Sequence, residues 1–238
     1  MTTLRRFEIH QPASVREASR ILRQYGDEAS IYAGGTELLL AMRHGALRYR
    51  HLVDLKVIPG LDSIQMRGDM LEIGAAATHR SIERSALVRE RQPALAGMEA
   101  HVANVRVRAT GTLGGNLCFA EPHSDPATFL LVLEARVKLE GPEGDRELAI
   151  HQLISGAYES SLLPGEILTR ILVPCAQEGH RAAYMKFQVR ERHTLGLGIW
   201  LETPDGGRTF TRGRAAAGLR VALSKTGNRS RGIIVRLP

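Results

Sequence analysis

The sequence predicts a mixed helix-and-strand fold that opens with a small α/β unit. A helix, a short strand, a glycine turn and a second helix follow one another within the first 45 residues or so. A hairpin pattern comes next, and strand candidates then alternate with helical stretches. The 238 residues are 43% hydrophobic and 24% charged, the balance of an ordinary globular protein. No apolar run approaches the roughly 18–20 residues that span a bilayer.

The elements follow in order. Ser14 and Glu17 fit a capping box, and Val15, Ala18, Ile21 and Leu22 recur at helical spacing up to a C-cap at Gly26. Ile31-Tyr32-Ala33 is too short for a helix and reads as a strand, bounded by Gly34-Gly35. Thr36 to Met42 reads as a second helix closing near Gly45. Residues 51–56 read as a strand, and 63–77 as a hairpin turning at Gly68-Asp69. Residues 79–100 are helical in pattern, broken by Pro93. Residues 105–120, rich in Gly and Thr, read as a loop. Pro126 after Asp125 marks the start of a helix over 126–135. Val137–Leu139, Ile167–Val173, Ala183–Phe187 and Leu195–Leu201 are strand candidates. There is no internal repeat.

The formal net charge of +7 suggests an acidic partner, but its distribution argues otherwise. Residues 208–238 hold eight basic side chains (Arg208, Arg212, Arg214, Arg220, Lys225, Arg229, Arg231 and Arg236) and no Asp or Glu. The rest of the chain sets 24 basic against 25 acidic residues and is near neutral. A nucleic acid or another acidic surface could bind the tail through phosphate contacts. Residues 214–238 hold no aromatic residue to stack on bases, so no nucleic-acid partner is assigned. The N-terminus has no apolar stretch after its arginines, so no secretory signal is expected. Two cysteines, Cys118 and Cys175, build neither a disulfide framework nor a four-cysteine metal site, and suit the reducing cytoplasm.

Two glycine motifs carry the chemistry. In Ala33-Gly34-Gly35-Thr36-Glu37-Leu38, a strand runs through a turn into a helix. Consecutive glycines let several backbone N–H groups point at one spot, for which a phosphate is the natural occupant. The spacing is neither a GxGxxG fingerprint nor a Walker A loop. A plain glycine turn capping a helix gives the same pattern. The second motif is Gly111-Thr112-Leu113-Gly114-Gly115-Asn116-Leu117, followed by Ser124-Asp125-Pro126. Its amides, the Thr112 hydroxyl and the Asn116 side chain could hold a second phosphate or a ribose. Asp125, an acceptor only, suits sugar hydroxyls or a ring N–H. Ser124 and Asp125 could equally be N-capping residues of the following helix. Together the two motifs suit a dinucleotide, with two phosphates and two ends.

AGGTELL, GAAATH (residues 74–79), TGTLGGNLCFAEPHSDPA, and Lys186-Phe187 followed by Arg190 and Arg192 resemble, in order and spacing, the FAD-binding medium subunit of molybdenum hydroxylases. This is the family of the carbon monoxide dehydrogenase medium subunit and the xanthine dehydrogenase FAD domain. The resemblance implies an α+β fold of the vanillyl-alcohol-oxidase/CO-dehydrogenase flavoprotein type. It further implies an N-terminal α/β FAD-binding lobe over residues 1–56, a central α+β FAD-binding lobe over 57–176, and an incomplete C-terminal lobe with a basic tail over 177–238. By match, Ala33, Gly34, Gly35, Thr36, Glu37 and Leu38 bind the FAD pyrophosphate region, and Ala77 and Thr78 lie along the cofactor. Thr112, Gly114, Gly115, Asn116, Ser124 and Asp125 hold the pyrophosphate and adenosine side, and Lys186 and Phe187 lie near the flavin.

The function implied is an oxidoreductase subunit that takes electrons from a [2Fe–2S] small subunit through FAD to an outside acceptor. The third partner is a molybdopterin-binding large subunit. No side chain is assigned as catalytic, because the redox chemistry belongs to the cofactor. No metal ligands are assigned: the cysteine-rich [4Fe–4S] loop of some relatives is missing, Cys118 reads as a small buried hydrophobe, and His79 and His123 read as structural or surface residues. Family-like text stops near Gly213. A reading-frame change there or a basic extension would each explain the Arg-, Gly- and Ala-rich end; the loss of acidic residues at the same point favours the first.

Overall fold

The computed structural model describes residues 4–187, 195–205, 207, 209–219 and 233–237. The chain begins with β1 (Glu8–His10), α1 (Val15–Tyr25), β2 (Ala29–Tyr32), α2 (Leu38–Arg43) and β3 (His51–Asp54). The strands form a parallel sheet in the order β1-β3-β2. At the start of α1 the Ser14 hydroxyl accepts from the Glu17 amide at 3.2 Å, while the Glu17 carboxylate accepts from the Ala13 amide at 2.8 Å. The reciprocal cap therefore reaches one residue further out than a strict capping box. Gly26 ends the helix at a φ of +49°, a conformation suited to glycine. The apolar stripe of α1 packs through Ala18 on Val53, Leu55, Ile58 and Leu61.

The hairpin of β4 (Ile64–Arg67) and β5 (Met70–Gly74) turns at Gly68, as its sequence predicts. Three short helices follow: α3 (His79–Arg84), α4 (Ala86–Arg91) and α5 (Pro93–Glu99). Pro93 opens α5, where its missing N–H costs nothing. A second break falls at Ser85, whose hydroxyl caps α4. The glycine-rich stretch 105–120 is not a loop: it forms α6 (Val105–Thr110) and α7 (Leu113–Phe119), capped by Asn104 and Thr112. Glycine lowers helix propensity, which misled the sequence reading. Packing overrides it, because a Cβ on Gly114 would lie 2.6 Å from the Ala75 Cβ.

Next come α8 (Asp125–Val132), β6 (Arg136–Gly141), β7 (Gly144–Ala149), α9 (Ile150–Leu153), β8 (Ile154–Gly156), β9 (Glu159–Ser160) and β10 (Ile167–Pro174). An antiparallel sheet runs β4-β5-β10-β6-β7. Central β10 is almost wholly buried, which accounts for its continuous apolar run. The last sheet is also antiparallel and comprises β11 (His180–Phe187), β12 (Leu195–Glu202), β13 (Arg212–Leu219) and β14 (Ile233–Leu237) in that order. It packs through β12 and β13 on α8, whose residues other than Leu131 are all buried. That helix is apolar on nearly every side, as a helix enclosed by protein must be.

Regular structure continues past Gly213: β13 pairs with β12 from Leu195↔Leu219 to Glu202↔Arg212. Its three consecutive alanines are poor strand formers, so pairing rather than propensity specifies it. Arg214 stacks over the Trp200 ring at 3.7 Å and pairs with Glu134, and so is part of the packing. Arg190, Arg192, Arg208, Arg220, Lys225, Arg229 and Arg231 lie outside the described residues. Among the described residues, no helix is long and apolar enough to cross a membrane.

The tight seat of Gly114 gives a first prediction. Gly114→Ala forces α7 away from the alanine segment and costs about 1–3 kcal/mol of stability, the usual penalty of overpacking, measured by urea denaturation.

Candidate functional site

The site is built by three segments that have no room to separate. Residues 75–79 run antiparallel to residues 111–114: the Leu113 amide donates to the Ala77 carbonyl at 3.0 Å, the Gly114 amide to that of Ala75 at 2.9 Å, and the His79 amide to that of Gly111 at 3.1 Å. The first glycine motif lies against the same strip. A Cβ on Gly34 would come within 2.5 Å of the Thr110 carbonyl oxygen and 2.6 Å of the Gly111 Cα. Only glycine allows that approach. Gly35 adopts a φ of +68° and turns the chain from β2 into α2. Both glycine motifs thus open on one cleft of about 1940 Å³. It exceeds the 300–1,000 Å³ or so of a pocket for one small molecule, so it has room for an extended ligand.

Each wall is held from behind. The Lys56 ammonium donates to the Ala33 carbonyl at 2.9 Å and to Asp54 at 2.7 Å, and sits 3.7 Å over the Tyr32 ring. The Thr112 hydroxyl accepts from the Gly115 amide at 3.1 Å. The Ser124 hydroxyl donates to the Asn116 side-chain oxygen Oδ1 at 2.5 Å and accepts from the Ala127 amide at 3.0 Å, tying α7 to the start of α8. Buried Asp125 accepts from the Tyr184 hydroxyl at 2.5 Å and from the Lys186 ammonium at 2.6 Å. Burial, reinforced by the Asp125 charge and hydrogen bond, pushes the Tyr184 hydroxyl far above its ordinary pKa, so it stays a donor. Lys186 also donates to the His101 carbonyl at 2.9 Å. His79 Nδ1 lies 2.7 Å from the carboxylate of fully buried Glu99, whose other oxygen has no hydrogen-bond partner among the described residues. Glu166 receives two 2.7 Å hydrogen bonds from the Arg146 guanidinium and one from the Leu163 amide. These hold the carboxyl below the usual carboxylate range and pin the 163–166 turn at the cleft rim. Desolvation pushes the thiol of partly buried Cys118, on the cleft wall, up to about 12 and keeps it protonated at neutral pH.

Of the residues singled out in the sequence, Ala33, Gly34, Gly35, Thr36, Glu37, Leu38, Thr112, Gly114, Gly115, Asn116, Ser124, Asp125 and Lys186 all line the cleft. Ala77, Thr78 and Phe187 do not. Ala77 is buried behind the wall, and Thr78 spends its hydroxyl capping α3. Ala75 and Ala76 face the cleft in their place. Phe187, on the edge strand β11, is 61% exposed. The sequence reading missed the support from Lys56, Tyr184 and Glu99. Their partners lie in remote segments, and no local spacing announces them.

The family model described as the FAD binding domain in molybdopterin dehydrogenase matches residues 5–176. The chain belongs to this family. It is similar to the carbon monoxide dehydrogenase medium chain of Hydrogenophaga pseudoflava, 33% identical over 228 residues, which span 95% of this chain and 79% of that one. It is also similar to the xanthine dehydrogenase FAD-binding subunit of Escherichia coli, 30% identical over 215 residues, 88% of this chain and 73% of that one. A solved structure of the Hydrogenophaga pseudoflava carbon monoxide dehydrogenase, lacking the Mo-pyranopterin moiety of its cofactor, aligns with a TM-score of 0.88 and 31% identity. It covers 99% of this chain and 78% of its own. The α+β flavoprotein fold expected from the motifs is therefore the fold of this molybdopterin dehydrogenase FAD domain.

Two outcomes follow from the supporting pairs. Lys186→Met takes the ammonium away from the buried Asp125 carboxylate and costs about 3–5 kcal/mol, as for other broken buried pairs, read by chemical denaturation at neutral pH. The Arg146–Glu166 pair stabilises the fold above the ordinary carboxylate pKa of about 4.3 and ceases to do so as pH falls through the lower folded value. Glu166→Gln therefore destabilises at pH 7, and its difference from the parent shrinks by pH 3; a constant difference would contradict this.

Proposed function

We propose that the chain is the FAD-holding, electron-transferring subunit of a molybdenum hydroxylase-type oxidoreductase. The observation that carries this reading is the convergence of both glycine motifs on one large cleft whose walls leave no space for a Cβ at Gly34 or Gly114. The residues present fit a dinucleotide. Ala33 to Leu38 offer backbone amides to the pyrophosphate. Thr112, Gly114, Gly115 and Asn116 close over it from the other side, and Ser124 and Asp125 hold the adenosine end in shape. Lys186 lies toward the flavin, with Phe187 beside it on β11, while Ala77 and Thr78 back the wall along the cofactor.

When bound, the flavin accepts electrons and passes them on; the protein binds it, orients it and limits solvent around it. Electrons reach it from a [2Fe–2S] small subunit that a molybdopterin-binding large subunit reduces, and leave to an external acceptor. In this reading residues 1–56 and 57–176 are the two FAD-binding lobes, and 177–238 belong to a C-terminal lobe with a basic tail. The cytoplasm is the compartment that suits the two free thiols, Cys118 and Cys175.

Purified protein is expected to carry one FAD per chain, with the visible absorbance of a flavin. Gly34→Val, which drives a branched side chain into the Thr110–Thr112 backbone, is expected to lose most of it. A colourless protein that cannot be reconstituted with FAD would overturn the reading.

A further inference from the structure

The first sheet carries a cluster that the cleft does not use. Glu8 and His10 are two residues apart on β1 and so project from the same face. β1 pairs in parallel with β3, and Glu8 lies directly across from His51. Three donor atoms meet as a result. His10 Nε2 and His51 Nδ1 are 3.0 Å apart, His51 Nδ1 is 3.5 Å from the Glu8 carboxylate, and His10 Nε2 is 4.0 Å from the same oxygen. We propose that Glu8, His10 and His51 form a binding site for one divalent transition cation of the zinc class.

The distances fit. A tetrahedral zinc with bonds of about 2.0–2.1 Å holds its ligand atoms roughly 3.3 Å apart, and the three observed separations straddle that value. The donor set fits as well. Two imidazoles and one carboxylate select zinc, nickel or copper over calcium or magnesium, which prefer all-oxygen shells. The two facing nitrogens can share only one proton between them, whereas a cation engages both lone pairs. The rings are held in place: Tyr25 stacks on His51 at 3.7 Å and 18°, and lies 5.2 Å from the His10 ring. Both histidine side chains are only 16% exposed while Glu8 is 64% exposed, so one side stays open for water to complete the shell. Arg50, which precedes His51 in the chain, is engaged by Glu28 at 3.5 Å. None of the three residues lines the cleft, so the site is separate from the flavin. A bound cation would clip the three-residue strand β1 to β3.

The test uses the full chain, stripped with a chelator and titrated with zinc chloride by calorimetry. One zinc per chain is expected, with binding weaker at pH 5 than at pH 7.5 because the imidazoles must be neutral. His10→Ala and His51→Ala should each weaken binding about tenfold or more, and calcium should give no saturable heat. Zinc should raise the melting temperature of the parent and not that of the variants. FAD content, unchanged in all, reports that each variant is folded; should a histidine variant fail to fold, Glu8→Gln, at an exposed side chain, provides the same comparison. Absence of saturable zinc binding to the parent would overturn the proposal. So would an affinity unaltered by these substitutions, which would place the cation elsewhere, for instance at Cys118 or Cys175.

Discussion

The approach on which the cleft depends is between two pieces of backbone. Gly34 sits against the peptide units of Thr110 to Thr112, with a space that no side chain could share. That approach lets β2 end on the same strip that α7 begins on. It therefore brings two glycine turns, more than 70 residues apart in the chain, to one opening. The alanine segment completes the arrangement from the other side, because Gly114 is as tightly seated on Ala75 as Gly34 is on Gly111. Cleft, walls and helix starts are all consequences of small residues stacked in one place.

The charges around this opening are arranged to cancel. Asp54 with Lys56, Asp125 with Lys186, and Glu166 with Arg146 are paired at its edges. An anionic ligand in the cleft would therefore meet, at these three places, paired side chains rather than free lysines. This agrees with the near-neutral body of the chain, and it separates the overall charge of +7 from the site. Part of that excess is structural: Arg214 lies flat on Trp200.

What could be read in the sequence was what short-range rules govern. The cap at Ser14, the turn at Gly68 and the start of α8 at Asp125 are each decided by neighbours a few residues away. So were the two glycine motifs as short stretches, because their residues are consecutive. The misreadings share one cause. Residues 105–120 look like a loop until Ala75 and Ala77 are placed against them, and Arg212–Leu219 looks featureless until β12 is laid alongside. Likewise Ala77 and Thr78 seemed the cofactor-facing pair, but the pairing with Gly111 to Gly114 turns Ala75 and Ala76 outward instead. The partners of Lys56, Tyr184 and Glu99 depend on tertiary packing that no local pattern encodes.

One supporting contact has a directional effect. The Lys56 ammonium draws the Ala33 carbonyl back toward β3. No peptide bond in the described chain is cis, so the C=O of Ala33 and the N–H of Gly34 occupy opposite edges of one rigid plane. Pulling on one edge sets the other. A lysine that does not itself line the cleft thus acts as a rotational stop, fixing the heading of the first amide dipole in the glycine turn before any ligand arrives.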